Sequence, residues 1–367
     1  MNNVIFLQEK IPTVEQAFLD LIVRWSKYQK AYKQRSKGKL FNLYTSKNLP
    51  KEMKVILSKY SIPEFISVET NPIQKIILAG KLIRESKSKT LLVCGDNQIS
   101  ILTALIFKIL APRKVLIQTQ FHGDTYSRIR NKGWRGLLRV IFARLAFKIS
   151  NSIRVVSEFQ IEEIRAISRN IGAEFVVAPI PIDFNKIPEF SNNPDIDILF
   201  VGRLHEERGL AELVEIIQML PRTERSLNIA IVGDGPLLEF AQSQLSNLEN
   251  GSEVSFLGHL NNKELKDVYS RSRILISCAV TEGYGLTLRE AALSSIHVIA
   301  KQSKGAIEAQ INFENNMDLY KSVLEATVLI KTHLDKNRVP VDRSIKLKQE
   351  KMDWESLNRL FSSWESN

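Results

Sequence analysis

The stretch Thr281-Glu-Gly-Tyr-Gly-Leu-Thr-Leu-Arg-Glu-Ala-Ala292 joins a strand pattern to a helix pattern through a glycine-rich turn. Residues 273–277 before it form the short apolar run of a buried strand, and residues 286–293 after it have helical spacing. Gly283 and Gly285 allow the backbone of the turn to approach a ligand closely. Because the first N–H groups of a helix favour an anion, the stretch predicts a strand–turn–helix unit that binds one.

The same alternation of strand and helix patterns runs along the chain. Strand patterns, some with their turns, occur at residues 4–7, 39–44, 65–68, 90–94, 114–118, 153–156, 175–178, 196–204, 227–236, 254–260 and 273–277. This alternation predicts an α/β protein with parallel sheets covered by helices on both faces. A chain of 367 residues exceeds one ordinary core, so we expect two domains. The segment 184–194 contains prolines and asparagines, which are typical of a linker. We therefore predict domains at 1–184 and 185–351.

The composition is that of a soluble globular protein, with 44% hydrophobic and 25% charged residues. The longest apolar run, residues 99–111, is too short and too polar to span a bilayer. The N-terminus has no secretory signal pattern, and Cys94 and Cys278 fall in separate apolar runs typical of buried free thiols. We therefore expect a cytoplasmic location.

The charge of the chain is concentrated in its first half. Residues 1–180 hold 30 Lys and Arg against 13 Asp and Glu, whereas the remainder holds 21 against 27. The basic residues 128–148 interleave with apolar ones, and they are Arg128, Arg130, Lys132, Arg135, Arg139, Arg144 and Lys148. Such a helix can lie on an anionic membrane surface, or it can pack its apolar face on the sheet with the charges solvated. Both interpretations stay open.

Further ligand-binding candidates lie at strand ends. Arg203 and Arg208 fall in a loop that enters a helix, where two guanidinium groups suit a diphosphate. Gly233 lies in a turn and Gly258 at the end of a strand. His122 follows the strand at 114–118, at the position where open α/β sheets bind ligands. The alternatives are solvated surface arginines, plain turns and a loop histidine without a role.

Glu282 and Glu290 give these candidates a specific interpretation. Their spacing and the turn between them resemble the Glu-x7-Glu signature of retaining GT-B glycosyltransferases, in particular glycosyltransferase family 4. The segment from Gly202 to Arg208 is similar to the family's Gly-Arg-Leu…Lys-Gly pattern, and residues 232–236 match its Val-Gly-Asp-Gly-Pro turn. The resemblance implies two Rossmann-like domains facing each other across a cleft. It also implies that a C-terminal helix at about 352–367, with its pattern between Trp354 and Trp364, packs back on the first domain.

The resemblance also implies roles for single residues. His122, Glu282, Arg203 and Arg208 would be catalytic, with Glu282 on donor sugar hydroxyls and the arginines on the leaving diphosphate. Glu290 would bind ribose hydroxyls. The implied donor site comprises Gly202, Arg203, Arg208, Gly233, Gly258, Glu282, Gly283, Tyr284, Gly285, Leu286 and Glu290.

The expected partners are a nucleotide-diphosphate sugar and a lipid-linked or saccharide acceptor, as in surface polysaccharide assembly at the inner face of a membrane. No cofactor and no metal are expected, because the chain has no Asp-x-Asp at a strand end. No nucleic acid is expected either, since no nucleic-acid-binding motif is present.

Some positions depart from the family pattern. Ser295 and His297 stand where the family has Gly and Pro, and the strand segment that usually follows the loop at Gly305 is missing. Three alternatives therefore remain: a nucleotide-sugar epimerase on the same scaffold, an inactive homologue and a nucleic-acid-binding protein.

Overall fold

The computed structural model describes residues 3–10, 28–29, 31–36, 38–45, 66–69, 71–95, 98–121 and 134–366. The chain divides into two compact units. The first consists of residues 1–178 together with 356–367, and the second consists of residues 179–355. The first unit is therefore discontinuous in sequence, with the whole second unit inserted between its parts.

The described residues of the first unit contain a seven-stranded parallel sheet. Its strands are β1 (Asn3–Lys10), β2 (Leu40–Thr45), β3 (Ile66–Glu69), β4 (Thr90–Cys94), β5 (Val115–Gln120), β6 (Ser152–Val155) and β7 (Glu174–Val177). Their order across the sheet is β3-β2-β1-β4-β5-β6-β7. The helices described in this unit include α1 (Pro72–Glu85), α2 (Gln98–Leu110), α3 (Trp134–Ile149) and α4 (Phe159–Ile167). Strands β4, β5 and β6 are buried along their whole length, as expected of a sheet covered on both faces.

The second unit, described throughout, contains a six-stranded parallel sheet. Its strands are β8 (Ile196–Val201), β9 (Asn228–Val232), β10 (Glu253–Gly258), β11 (Ser272–Ser277), β12 (His297–Lys301) and β13 (Met317–Tyr320). Its helices are α5 (Leu210–Met219), α6 (Leu238–Gln244), α7 (Asn262–Arg271), α8 (Leu286–Leu293), α9 (Lys304–Asn312) and α10 (Val323–Leu334). Strand β13, which the sequence pattern did not show, pairs in parallel with β12, so the prediction that this segment is missing was wrong.

The strand order of the second unit fixes where a ligand can bind. The order is β10-β9-β8-β11-β12-β13, so the chain builds outward from β8 in one direction and then from β11 in the other. The two loops that leave the carboxyl ends of β8 and β11 therefore diverge to opposite faces of the sheet. A crevice between such loops is the usual ligand site of an open parallel sheet.

The last helix, α11 (Arg343–Ser366), is longer than the predicted segment between Trp354 and Trp364. Its first turns belong to the second unit and its last turns to the first. In the first unit the Trp364 side chain is 1% exposed and packs edge-on against Phe6 at a ring distance of 5.5 Å. The indole N–H donates a hydrogen bond of 2.9 Å to the side-chain oxygen of Gln118 on β5. The end of α11 thus completes the core of the first unit.

Candidate functional site

Arg208 and Glu282 meet between the loops that follow β8 and β11. An Nη1 atom of Arg208 donates to Oε2 of Glu282 at 2.8 Å. The other carboxylate oxygen of Glu282 accepts the backbone N–H of Gly285 at 3.3 Å. Glu282 is mostly buried while Arg208 is about one-third exposed, so the pair sits at the rim of the crevice rather than in the core. The structure thus brings together two of the four residues predicted to be catalytic.

The loop that carries Arg208 is held against the loop that carries Glu282 by a glycine. Gly209 has a left-handed backbone with φ of 67°, and a β-carbon there would lie 2.1 Å from the carbonyl oxygen of Cys278. Only glycine permits both the conformation and the close approach. Gly209 also stands immediately before helix α5, and Gly285 stands immediately before helix α8. Two helix N-termini therefore begin at the crevice, and their unpaired N–H groups are suited to an anion.

The predicted glycines lie at neighbouring strand ends. The N–H of Gly202 after β8 donates to Val232 at the end of β9, at 3.0 Å. The N–H of Gly233 donates to the carbonyl of Gly258 at the end of β10, at 2.8 Å. These bonds tie three consecutive strand ends into one continuous backbone surface beside the loop of Arg208.

The two predicted arginines have different environments. Arg203 is 65% exposed, and its guanidinium lies 3.4 Å from the carboxylate of Glu207 in the same loop. Arg208 instead reaches across to the loop after β11, as described above. Since an exposed ion pair between two residues of one loop contributes little energy, the Arg203 guanidinium can leave Glu207 at small cost.

Glu290 lies on helix α8 and is almost fully buried, with 4% of the residue exposed. The hydroxyl of Tyr269 donates to its Oε2 at 3.3 Å, and Nζ of Lys186 lies 3.7 Å from its Oε1. Burial raises the pKa of the Glu290 carboxyl, and the Lys186 ammonium partly opposes that rise. In the fully described second unit, Oε1 of Glu290 accepts no hydrogen bond. A buried acceptor of this kind is suited to a ligand hydroxyl.

Sequence reasoning missed Lys186 and Tyr269. Lys186 lies in the predicted linker at 184–194, where the structure has a short 3-10 helix at Phe184–Lys186. Tyr269 lies on α7, and its spacing there indicates only a core position. Neither residue could be found from local pattern, because each contacts Glu290 from a distant part of the chain.

Tyr284 and Leu286 occupy interior positions. The Tyr284 side chain is buried, its ring lies under the guanidinium of Arg289 at 4.2 Å, and its hydroxyl accepts a hydrogen bond from Gln349. Leu286 is the first residue of α8 and packs partly buried against the core of the second unit. Gly283 separates Glu282 from Tyr284 in the same turn. The side chain of Tyr284 is therefore part of the core, while the turn itself carries Glu282.

His122 lies outside the described residues, as do Arg128, Arg130 and Lys132. The described part of the basic segment is helix α3, whose Leu137 and Ile141 are exposed. None of the helices within the described ranges has the length and apolar content needed to cross a bilayer.

The second unit is similar to a known protein family. Residues 182–321 match the model of the family described as glycosyl transferases group 1. An uncharacterized glycosyltransferase of Bacillus subtilis, YqgM, is 24% identical over 172 residues, which cover 46% of this chain and 46% of the relative. A glycogen synthase of Mycobacterium tuberculosis is 26% identical over 190 residues, which cover 50% of this chain and 46% of the relative. The chain thus matches less than half the length of these curated relatives.

Comparison of structures extends the likeness to nearly the whole chain. The crystal structure of Anabaena HepE in complex with UDP and glucose superposes with a TM-score of 0.66 at 14% sequence identity. The superposition covers 98% of this chain and 95% of that one. At this identity the match shows the fold, which is α/β of the GT-B class with two Rossmann-like domains, as the sequence predicted.

The family match also includes the loops after β8, β9 and β11 and both carboxylates of the Glu-x7-Glu turn. The sequence resemblance and the family model therefore identify the same segment. Residues 182–321 therefore resemble the family of glycosyl transferases group 1.

Proposed function

We propose that this chain is a retaining glycosyltransferase that moves a sugar from a nucleotide-diphosphate sugar to an acceptor. The observation that carries the proposal is the Arg208–Glu282 pair, placed between the N-termini of α5 and α8 at the crevice of the second sheet. A cation, two helix starts and an acceptor-only carboxylate are the groups that a diphosphate and sugar hydroxyls require.

The leaving diphosphate carries the negative charge that develops during transfer. Arg208 and the N–H groups at the starts of α5 and α8 supply positive potential for it, without a need to reorganise the backbone. Arg203 at the exposed rim adds a second guanidinium when it turns from Glu207 to the phosphate. This arrangement supports a transfer in which protein groups neutralise the leaving group and no metal is required.

The two carboxylates bind different parts of the donor in this proposal. Glu282 accepts hydrogen bonds from the donor sugar, in exchange for its present bonds to Arg208 and Gly285. Glu290 accepts a ribose hydroxyl at Oε1, which accepts no hydrogen bond from the residues that the structure describes, and Tyr269 and Lys186 hold the carboxylate in place. His122 contacts the donor sugar by the family resemblance. Retention follows a same-face route in which the leaving phosphate receives the proton of the acceptor hydroxyl.

The acceptor is proposed to be lipid-linked, with the first unit at an anionic membrane surface. Helices α2 and α3 contact each other and leave several large apolar side chains in solvent. These exposed residues are Ile99, Leu102, Ile106, Ile109, Leu110, Leu137, Leu138 and Ile141. The chain is strongly basic in this half, so the apolar side chains lie in the part of the molecule that an anionic lipid surface attracts.

Donor binding tests the proposed site. The melting temperature of the chain is measured with nucleoside diphosphates and their sugars, beginning with UDP and UDP-glucose because the similar Anabaena structure holds UDP and glucose. We expect a selective rise for one nucleotide and its loss in Arg208→Gln. Arg222→Gln, a change of an exposed arginine on the same unit, serves as the control. A flat response of the folded wild type would contradict the donor site.

Product analysis tests the reaction. Glu282→Gln keeps the size of the side chain but removes its charge, and we expect it to lower turnover about 100- to 1000-fold. The anomeric configuration of the product, read by NMR, decides between retention and inversion. Conversion of the sugar without any acceptor would instead favour an epimerase.

Vesicle binding tests the membrane proposal. Replacing Ile109 and Leu137 by Gln should lower co-sedimentation with vesicles that contain anionic lipid. Ile311→Gln changes an equally exposed apolar residue of the second unit and should leave binding unchanged. If vesicle binding falls equally in all variants, or falls in none of them, this surface does not bind lipid.

A further inference from the structure

Three side chains from three elements of the second unit converge on one point. His297 is the first residue of β12, Asp318 is the second residue of β13, and His333 lies in the last turn of α10. The Nε2 atoms of His297 and His333 lie 2.8 and 2.9 Å from the same oxygen, Oδ2 of Asp318. The two imidazole rings are stacked, with centroids 3.5 Å apart and planes 16° apart.

This cluster is separate from the proposed donor site. His297 begins its strand, so it lies at the edge of the sheet where the parallel strands start. The loops of Arg208 and Glu282 follow strands β8 and β11, so they lie at the edge where the strands end. The proposed transfer reaction uses none of the three residues.

Two imidazoles and one carboxylate form a donor set that zinc binds in proteins. One ligand atom from each residue can be chosen so that all three lie within 4.8 Å of one another. Zinc bonds of about 2.0–2.2 Å in a tetrahedron place ligand atoms about 3.4 Å apart. Binding therefore requires the two stacked rings to rotate from their near-parallel arrangement until their nitrogen lone pairs converge on the ion. The site is half-buried, and Asp318 is the most exposed of the three, which leaves a path for an ion from solvent.

Neutral imidazole is the form that binds a metal. In the present arrangement the Nε2 atoms of both rings lie beside the same carboxylate oxygen of Asp318.

We propose that His297, Asp318 and His333 form a Zn²⁺ site, with water as the fourth ligand, that links β12, β13 and the end of α10. The site belongs to this chain's own sequence, because His297 stands where the resembling family has proline. A zinc ion there stabilises the second unit without contact with the donor.

Zinc binding to the full chain tests this site. The chain is stripped of metal with a chelator, and Zn²⁺ is titrated without nucleotide in competition with a chromogenic chelator. We expect one Zn²⁺ bound at the cluster and a melting temperature that rises with zinc concentration. Co²⁺ in place of zinc should give the visible absorption of a tetrahedral site with nitrogen and oxygen ligands.

Variants locate the site. His333→Gln and, independently, Asp318→Asn should lose both zinc binding and the zinc-dependent rise in melting temperature. His259→Gln, which removes an exposed histidine of the same unit, should keep both. Circular dichroism of the metal-free variants verifies that each is folded. The proposal is overturned if the wild type binds no zinc, or if His333→Gln and Asp318→Asn bind it as the wild type does.

Discussion

Gly305 lies so close to Glu282 that a β-carbon added at Gly305 would sit 2.2 Å from the carbonyl oxygen of Glu282. Gly305 is the second residue of α9, which follows β12, whereas Glu282 lies in the turn after β11. The backbone of one loop therefore supports the turn that carries the proposed donor-binding carboxylate. The position of Glu282 therefore depends on residue 305 being a glycine, which has no side chain.

Gly305→Ala should accordingly displace the turn. The added methyl group collides with backbone rather than with a flexible side chain, so we expect a loss of about 1–3 kcal/mol in the free energy of unfolding. Donor affinity should fall as well, because Glu282 and Gly285 move with the turn. Urea unfolding and calorimetric titration with the donor measure the two effects.

The control for this change is Gly172→Ala, at a loop glycine of the first unit. A β-carbon there meets no atom within 4 Å. Its stability should stay within about 0.5 kcal/mol of the wild type. Equal behaviour of the two variants would show that the contact at Glu282 does not hold the turn.

The pH dependence of donor binding should report on Glu290. Burial raises the pKa of its carboxyl and Lys186 opposes the rise, so Lys186→Met should raise that pKa further. If the carboxylate binds ribose, donor affinity weakens as the pH falls through the pKa, and this weakening should begin at a higher pH in Lys186→Met. Calorimetric titration at a series of pH values measures the shift.

Two further variants serve as controls for the pH dependence of donor affinity. The side chain of Glu290→Gln cannot titrate. This variant should bind the donor weakly, and its affinity should not fall further as the pH is lowered. Lys263→Met removes an exposed lysine from the nearby helix α7 and should leave the profile unchanged. Identical profiles for Lys186→Met and the wild type would argue against the role of Glu290.

Much of the candidate site could be predicted because its parts are local in sequence. Glycine turns between a strand and a helix are visible in the chain itself, so the loops of Arg208 and Glu282 were both expected at strand ends. The contacts of Glu290 could not be predicted, since Lys186 and Tyr269 reach it from other elements. Strand β13 could not be predicted from the sequence pattern, because it has only four residues and includes the polar Asp318.

The start of the last helix was missed for a related reason. Residues 343–353 are mostly polar and show no apolar helical stripe. Within this segment Gln349 and Asp353 are nevertheless buried, and they hydrogen-bond each other at 2.7 Å. Polar burial of this kind depends on tertiary partners, which hydropathy patterns do not contain.

Asp353 should make stability depend on pH. Its carboxylate accepts the N–H of Ile182 at 2.7 Å, yet burial raises its pKa to about 6 from 3.8. Because the folded-state pKa exceeds the unfolded value, the folded state binds the proton more tightly. The stability from this group is therefore fully present below pH 3.8 and is lost as the pH rises through about 6.

Asp353→Asn should remove this contribution, so the difference in unfolding free energy between wild type and variant changes by up to about 1.4 kcal/mol per pH unit in that window. An asparagine can keep the bond from Ile182, and Gln349 can turn its amide to match the new donor. Urea unfolding between pH 4 and 7 gives the slopes. Glu249→Gln, at an exposed position, should run parallel to the wild type, and so should Asp353→Asn if the carboxyl does not titrate there.

Two tryptophans on α11 offer a matched test of its last turns. Trp364→Ala removes a ring packed against Phe6 and a hydrogen bond to Gln118, and should cost about 3–5 kcal/mol. Trp354 on the same helix is 67% exposed, so Trp354→Ala should cost no more than about 0.5 kcal/mol. Guanidinium unfolding measures both, and equal costs would contradict the packing of Trp364.

The discontinuity of the first unit has a consequence for biosynthesis. Nascent chains generally fold domain by domain from the N-terminus. Here residues 356–367, which include Trp364, leave the ribosome after the whole second unit. The core of the first unit therefore stays incomplete until these last residues are made. The contiguous second unit has every residue it needs earlier and should fold first. A recombinant first unit would accordingly need residues 356–367 supplied, either fused to its end or added as a peptide.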